Sequence, residues 1–137
     1  MKNSTKSKRQ TENEALISLK LNSKNIVEIE LAPTLSKIRK SHLLYINKNI
    51  QDLGGGKKLP ACIHFTGFMM LSKSAIKYRS TEEYARYRLA NAFLVDSFSK
   101  AVIYNFYLEA DTSSVPVASF KEQKKAFDWL ETFMVAA

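Results

Sequence analysis

The stretch PACIHFTGFMMLSKSAI, residues 60–76, decides the fold. Its first half is a short apolar run that is typical of a buried strand, and Ser72 is typical of a helix N-cap. Gly67 and an apolar segment that ends at Leu71 separate the two. A buried strand that leads into a capped helix is the repeating unit of a parallel α/β sheet. Because such sheets gather functional groups at the carboxyl ends of their strands, a site is expected here.

A β-hairpin and a helix are predicted before this stretch. Residues 15–21 and 26–31 alternate apolar and polar side chains, and the polar turn Asn22–Asn25 joins them. Apolar side chains at helical spacing then predict a helix that starts at Pro33 and Thr34. The glycines at 54–56 should end this helix, because glycine accepts the left-handed conformation found there.

The second half of the chain continues the alternation of helices and strands. Ser80 and Glu83 match a capping box, in which the Ser80 hydroxyl accepts from the Glu83 N–H, and predict a short helix. The remaining predicted elements are a buried strand over 89–95, a helix from Asp96 and Ser97 to about 109, a strand over 115–120 and a final helix. Pro116 favours an edge or strand-start position.

The predicted order is ββαβααβαβα in one α/β domain over residues 15–137. Strands separated by helices require crossover connections, which make parallel pairs. The expected fold is therefore a mixed, mostly parallel five-stranded sheet with an N-terminal β-hairpin and flanking helices. Residues 1–14 are polar and basic, and are predicted to form a disordered arm.

Composition excludes several classes of protein. The 137 residues carry a net charge of +8 and a single cysteine, Cys62, so neither an internal disulfide nor a multi-cysteine metal site can form. No apolar run approaches the roughly 18 residues of a membrane span. The first fourteen residues lack the apolar core of a secretory signal, so a cytoplasmic location is expected. A basic surface favours anionic partners.

No group of residues in the sequence predicts catalysis. The two histidines, His42 and His64, have no Asp, Glu or Cys at metal-ligand spacing, apart from Cys62 on the same strand face as His64. A phosphate loop follows a strand and precedes a helix, whereas Gly54–Lys58 follows a predicted helix and precedes a predicted strand. Lys58 also occupies the position where that motif requires Ser or Thr. The protein is therefore predicted to be no enzyme, with no catalytic residue, no metal and no cofactor.

Two serines at the start of the helix are the candidate site for phosphorylation or anion binding. Ser72 and Ser74 would lie near free backbone N–H groups, and Lys73, Lys77 and Arg79 would favour an anion there. The competing interpretation is that Ser72 is simply an N-cap.

A second set of residues is the candidate interaction surface. Its first part is the apolar run Phe68, Met69, Met70 and Leu71, which a loop should not leave exposed unless it packs or binds. Its second part mixes basic and aromatic residues, as protein interfaces and nucleic-acid surfaces both do. These are Tyr78, Arg79, Arg86 and Arg88. The alternative for this part is a solvated helix face.

The chain resembles a known family, the small SpoIIAA-like or STAS-like proteins related to anti-sigma-factor antagonists. The resemblance covers about residues 15–135, and its features are the glycine-ended helix, the strand and helix of residues 60–76, and the later strands and helices. The residues that carry it are Leu53–Lys57, Pro60–Phe65, Gly67, Ser72–Ala75, Tyr84–Ser97, Asn105–Leu108, Pro116, Phe120 and Trp129–Leu130. The closest similarity is to a poorly characterised bacterial branch.

The resemblance implies a regulatory role. Anti-sigma-factor antagonists carry an Asp-Ser-Ser-Gly motif at this helix start, and a kinase phosphorylates the second serine. Ser74 matches that serine, whereas Ser72, Lys73 and Ala75 replace the other three motif residues. Ser74 is therefore a candidate phosphorylation site without the motif around it.

Three hypotheses of function follow from these patterns. The first is a non-enzymatic, cytoplasmic interaction module that binds a protein partner, which includes a second copy of the chain. The second is a small-molecule carrier with an apolar cavity beside Phe65, Phe68 and Phe98, which would hold an apolar or anionic ligand such as a lipid. The third and least favoured is nucleic-acid binding through the basic surface.

Overall fold

A computed structural model of the chain describes residues 8–65, 70–96 and 115–136. The helices in these segments are α1 Lys8–Leu16, α2 Lys40–Gly54, α3 Lys73–Arg79, α4 Glu82–Ala85 and α5 Gln123–Ala136. The strands are β1 Ile17–Leu21, β2 Val27–Leu31, β3 Lys37–Ile38, β4 Leu59–Phe65, β5 Met70–Leu71, β6 Arg88–Val95 and β7 Val117–Phe120.

The central element is a five-stranded sheet in the order β1-β2-β4-β6-β7. β1 and β2 form the predicted antiparallel hairpin, with Ile17 opposite Leu31. The other three pairings, β2–β4, β4–β6 and β6–β7, are parallel. The prediction of a mixed, mostly parallel sheet with an N-terminal hairpin is confirmed, and β7 lies at the edge that Pro116 indicated.

Two apolar clusters cover the two faces of the sheet. Successive side chains along an extended chain point to opposite faces of the sheet. Val27 and Ile63 therefore contribute to one cluster, and their neighbours Ile26 and Cys62 contribute to the other. The first cluster includes residues of α2, α3 and α4, and the second includes residues of α5. The helices therefore lie on both sides, as in other α/β sheets.

The start of α2 differs from the prediction. The helix begins at Lys40 instead of Pro33 and Thr34, and Lys37–Ile38 forms β3, which pairs in parallel with β5. Leu35 and Ile38 are both buried in the first cluster, which explains why their spacing resembles that of a helix face. Pairing with a strand more than thirty residues away cannot be seen in local spacing.

Two further differences concern helix starts. The structure has α1 over Lys8–Leu16, where the sequence predicts a disordered arm over residues 1–14, and Asn13 is buried. The N-cap of α4 is Thr81 instead of Ser80. The Thr81 hydroxyl accepts from the Tyr84 N–H at 3.2 Å, and the Ser80 hydroxyl donates to the Lys77 carbonyl. The predicted capping box of Ser80 and Glu83 is therefore wrong, and Thr81 caps the helix.

Other predicted features are confirmed or lie outside the described residues. Gly55 ends α2 in the left-handed conformation with φ 60°, as expected of the glycine run. The helix predicted from Asp96–Ser97 to about 109 lies outside the described residues, and so do Phe68, Met69 and Phe98. Within the described segments, no helix combines the length and the apolarity that crossing a membrane requires.

Candidate functional site

The first turn of α3 is fixed by main-chain bonds and by a serine cap. β5 ends at Leu71, and the Ser72 N–H donates to the Ile38 carbonyl at 2.8 Å. The Ser72 hydroxyl accepts from the Ala75 N–H at 3.1 Å, which satisfies one of the free N–H groups of the helix start. Ser72 is therefore the N-cap of α3, as the structural interpretation of the sequence predicted.

Ser74 lies beside this cap and faces solvent. The hydroxyl oxygens of Ser72 and Ser74 are 3.0 Å apart and share a hydrogen bond. Ser74 is exposed, and so are its neighbours Lys73 and Lys77. The structure thus brings the two predicted serines together next to two exposed lysines.

Large apolar residues flank the serine pair in the sequence. Met70 is 47% exposed and Ile76 is 41% exposed. Leu71 is partly buried and packs against the first apolar cluster. Within β5, Leu71 therefore packs and Met70 faces solvent. We call Met70, Ser72, Lys73, Ser74 and Ile76 the α3 face.

The basic and aromatic part of the predicted interaction surface is mostly interior. Tyr78, Arg79 and Arg88 are only 5%, 3% and 4% exposed, so the prediction of a surface role is wrong for these three residues. Arg86 is exposed, as predicted. Local sequence did not indicate the burial of Arg88, because its acceptor Asn47 lies on α2, 41 positions away.

Arg88 lies in a buried polar network. Its Nε and Nη2 donate to the Asn47 side-chain oxygen at 3.1 and 2.9 Å. Its Nη1 donates to the Asn91 oxygen at 2.8 Å, and the guanidinium carbon lies 4.3 Å from the centre of the Tyr84 ring. The Asn91 amide in turn donates to the Tyr84 hydroxyl at 2.9 Å. All these acceptors are neutral, although the group they hold is a cation.

The network continues from Asn47 towards the surface. The Asn47 amide donates to the Tyr78 hydroxyl at 3.2 Å, and that hydroxyl donates to the Glu83 carboxylate at 2.6 Å. Asn47 on α2, Tyr78 on α3, Glu83 on α4 and Arg88 on β6 are thereby joined. We call Asn47, Tyr78, Glu83, Tyr84, Arg88 and Asn91 the Arg88 network.

Burial dominates the electrostatics of this network. Desolvation lowers the pKa of Arg88, and the nearby charge of Arg79 lowers it further. Desolvation and the hydrogen bond to Glu83 raise the pKa of Tyr78 to about 12. Sequence analysis did not identify Asn47 or Asn91 as part of a network. The available signal was a polar amide at a core position, in an apolar strand and on an apolar helix face.

A small cavity lies between the sheet and α2, with Arg88 in its wall. Its volume is about 40 Å³, and its lining is mostly aliphatic and aromatic apart from Arg79 and Arg88. The carrier hypothesis placed a cavity beside Phe65, Phe68 and Phe98. The cavity that the structure describes borders Ile63 and Phe93 instead, and Phe68 and Phe98 lie outside the described residues.

The surroundings of the cysteine and of both histidines are those of residues that stabilise the fold. Cys62 is fully buried, and its burial, followed by the charge of Glu28, raises the pKa of its thiol to about 12. His42 accepts from the Arg39 N–H at the start of α2. His64 Nε2 lies 3.6 Å from a Glu28 oxygen, a neighbour on the adjacent strand that sequence spacing missed. The described residues contain no group of three or more metal-ligand side chains.

Comparison with solved structures supports the fold. An uncharacterised protein of the DUF3478 family from Shewanella loihica PV-4, described as having a SpoIIAA-like fold, is similar to this chain with a TM-score of 0.55. The two are 14% identical, and the match covers 83% of this chain and 91% of the other. At this identity the similarity shows the fold alone. The SpoIIAA-like fold that the sequence predicted is thus confirmed.

Comparison with protein sequences identifies the family. No curated protein matches the chain. The sequence profile of DUF7793, described as a domain of unknown function, matches residues 19–134. That match includes both the α3 face and the Arg88 network. The chain therefore belongs to the DUF7793 family.

Proposed function

We propose that this protein is a non-enzymatic, cytoplasmic regulatory module that binds a protein partner through the α3 face. The observation that carries the proposal is the exposure of Met70 and Ile76 on either side of the serine pair. A patch of exposed apolar side chains with polar groups at its rim is typical of a protein-binding surface. The SpoIIAA-like fold supports the proposal, because the resemblance implies a regulatory role for this helix start.

Charge specifies the kind of partner. Lys73 and Lys77 are exposed on α3, the helix carries no acidic residue, and the chain has a net charge of +8. A partner with an acidic patch around an apolar contact would complement this surface, and long-range attraction would speed their encounter. A second copy of this basic chain is a poorer complement, so a different protein is the proposed partner.

Phosphorylation of Ser74 is the proposed switch. A kinase would transfer the γ-phosphoryl group of ATP to the Ser74 oxygen, releasing ADP and a proton. The product would carry a charge of about −2 next to Lys73 and Lys77, and it would repel an acidic partner. Support comes from the resemblance, which matches Ser74 to a phosphorylated serine, and from the exposure of its hydroxyl.

A capture experiment tests the surface. Tagged wild-type protein, Met70→Asp and Ser74→Asp are used to capture proteins from the source cell, and the captured protein is then titrated against each purified variant. We expect both substitutions to weaken binding at least about tenfold, which is a loss of about 1.4 kcal/mol. Leu53→Asp and Ser23→Asp are matched controls, since Leu53 is 37% exposed on α2 and Ser23 is exposed in the hairpin turn.

The pattern across variants decides the outcome, because capture alone proves little. Equal binding by all five proteins would show that the α3 face is not the contact surface. Weakening by Met70→Asp but not by Ser74→Asp would retain the surface and exclude the phosphoserine switch. Circular dichroism of each variant confirms that it is folded.

Nucleic-acid binding has less support than a protein partner. Two of the arginines that suggested it, Arg79 and Arg88, are buried and cannot contact a phosphate backbone. The remaining support for nucleic-acid binding is then the net positive charge of the chain. Binding of single-stranded or duplex DNA that falls steeply with added salt would revive it.

A further inference from the structure

We propose that the cavity beside Arg88 is a binding site for a small monovalent anion, such as a halide or a formate-sized or acetate-sized carboxylate. The site is independent of the α3 face, and its occupant would lie in the core between the sheet and α2. The argument rests on the charge of Arg88, on its unused hydrogen-bond donors, and on the size and lining of the cavity.

Arg88 is a buried cation whose hydrogen bonds, among the described residues, all go to neutral groups. Its acceptors are the amide oxygens of Asn47 and Asn91, and its face lies on the Tyr84 ring. Buried charges in proteins are normally paired with an opposite charge. The network supplies acceptors for three of the guanidinium N–H groups but does not neutralise the charge.

Two of its donors remain for a ligand. A guanidinium has five N–H groups in a planar fork, and three of them donate to Asn47 and Asn91. The other two have no acceptor among the described residues, and the side chain forms part of the cavity wall. An anion in the cavity would accept from these donors through charge-assisted hydrogen bonds, which are about twice as strong as neutral ones.

A second guanidinium increases the positive potential. Arg79 is 3% exposed and lines the same cavity, and its charge acts on Arg88. Arg79 has interactions of its own elsewhere, so the proposal rests on Arg88. An anion near both would still reduce the repulsion between two like charges in a medium of low dielectric constant.

The size and lining of the cavity set the class of ligand. A water molecule needs roughly 10–15 Å³ of such volume. The cavity, at about 40 Å³, has room for only a few heavy atoms. Apart from Tyr84 and the arginines, its walls are apolar, and they include Ile29, Ile63 and Phe93. Apolar walls favour a weakly hydrated monovalent anion over sulfate or phosphate, and the volume excludes nucleotides and lipids.

The first experiment uses the wild-type protein. Crystals soaked in sodium bromide should show an anomalous peak within hydrogen-bond distance of the Arg88 guanidinium. In solution, bromide or acetate is titrated against sodium sulfate at constant ionic strength while the arginine Nε–H resonances are recorded. We expect the Arg88 resonance to shift saturably and the exposed Arg86 resonance to show no saturation.

Two variants test the charge of Arg88 and the space in the cavity separately. Arg88→Met should lose saturable stabilisation by bromide in thermal unfolding, with binding at least about tenfold weaker, whereas Arg86→Met should behave like wild type. Leu71→Phe keeps Arg88 but fills cavity space, and it too should lose the effect. It serves as the second variant if Arg88→Met does not fold.

Two results would overturn the proposal. One is the absence of bromide at Arg88 together with an Arg88 resonance that follows Arg86 throughout the titration. The other is a saturable response that Leu71→Phe leaves unchanged, since the anion would then bind elsewhere. In the bromide-soaked crystals, the first result would appear as density for water alone at Arg88.

Discussion

The α3 face and the Arg88 network have similar composition but opposite surroundings. Both contain polar groups next to apolar or aromatic ones, and both lie between residues 47 and 91. In the α3 face, Ser74 and Lys73 are exposed, and the conformation depends on main-chain bonds. In the network, Asn47, Tyr78, Glu83, Arg88 and Asn91 each form a hydrogen bond with another side chain. The difference teaches that composition alone does not separate a binding surface from a structural interior.

The largest expected effect is on stability, in the interior. Asn47→Leu removes the oxygen that accepts two hydrogen bonds from Arg88 and leaves the buried cation with fewer partners. We expect the free energy of unfolding to fall by about 3–5 kcal/mol, measured by urea denaturation.

Asn49→Leu is the matched control, two residues further along α2. Asn49 is half-buried and donates only to the Tyr45 carbonyl in its own helix, so we expect a loss below about 1 kcal/mol. Equal losses in the two variants would mean that the Arg88 network contributes no more than an ordinary surface hydrogen bond.

The next effect concerns alkaline pH. The pKa of Tyr78 is raised from 10.0 to about 12 in the folded protein, so the unfolded chain loses the phenol proton first. The contribution of Tyr78 to stability is therefore complete below pH 10 and is lost as pH rises towards 12. One proton corresponds to a slope of up to about 1.4 kcal/mol per pH unit.

A comparison of two tyrosine variants isolates this proton. Tyr78→Phe should flatten the fall of unfolding free energy between pH 10 and 12 relative to wild type. Tyr87→Phe, which changes a half-buried tyrosine outside the network, should retain the wild-type slope. Identical slopes in all three proteins would indicate that Tyr78 is solvated and that the interior is more open than described.

The smallest effect is at the α3 face. Ser72→Ala removes the hydroxyl that caps α3 and should cost about 1 kcal/mol, measured by thermal unfolding. Ser74→Ala removes only an exposed hydroxyl beside it, so we expect a change within about 0.5 kcal/mol. A larger loss at Ser74 than at Ser72 would assign Ser74 a structural role and weaken its candidacy as a switch.

Local signals explain which parts of the structure the sequence predicted. The hairpin, the Gly55 helix end and the Ser72 cap depend on a few neighbouring residues, and all three are present in the structure. The mostly parallel pairing followed from the alternation of helices and strands, because parallel pairs require crossover connections.

Long-range contacts explain the rest. Lys37 of β3 pairs with Met70 of β5. Local spacing could not reveal this pairing, so the predicted helix began at Pro33 and Thr34, whereas α2 begins at Lys40. Arg88 resembled a surface residue because its partner Asn47 lies on another element, 41 positions away. Burial of a charged side chain depends on such partners, so basic and aromatic composition could not distinguish inside from outside.

The pairing of β3 with β5 also bears on how this family can diversify. The chain leading into α3 is held by the Met70 N–H bonded to the Ser36 carbonyl and the Ser72 N–H bonded to the Ile38 carbonyl. Main-chain atoms are the same in every residue that has an N–H, so this attachment places little demand on the side chains at 70, 73, 74 and 76. Relatives could exchange those side chains and acquire new partners while keeping the scaffold unchanged.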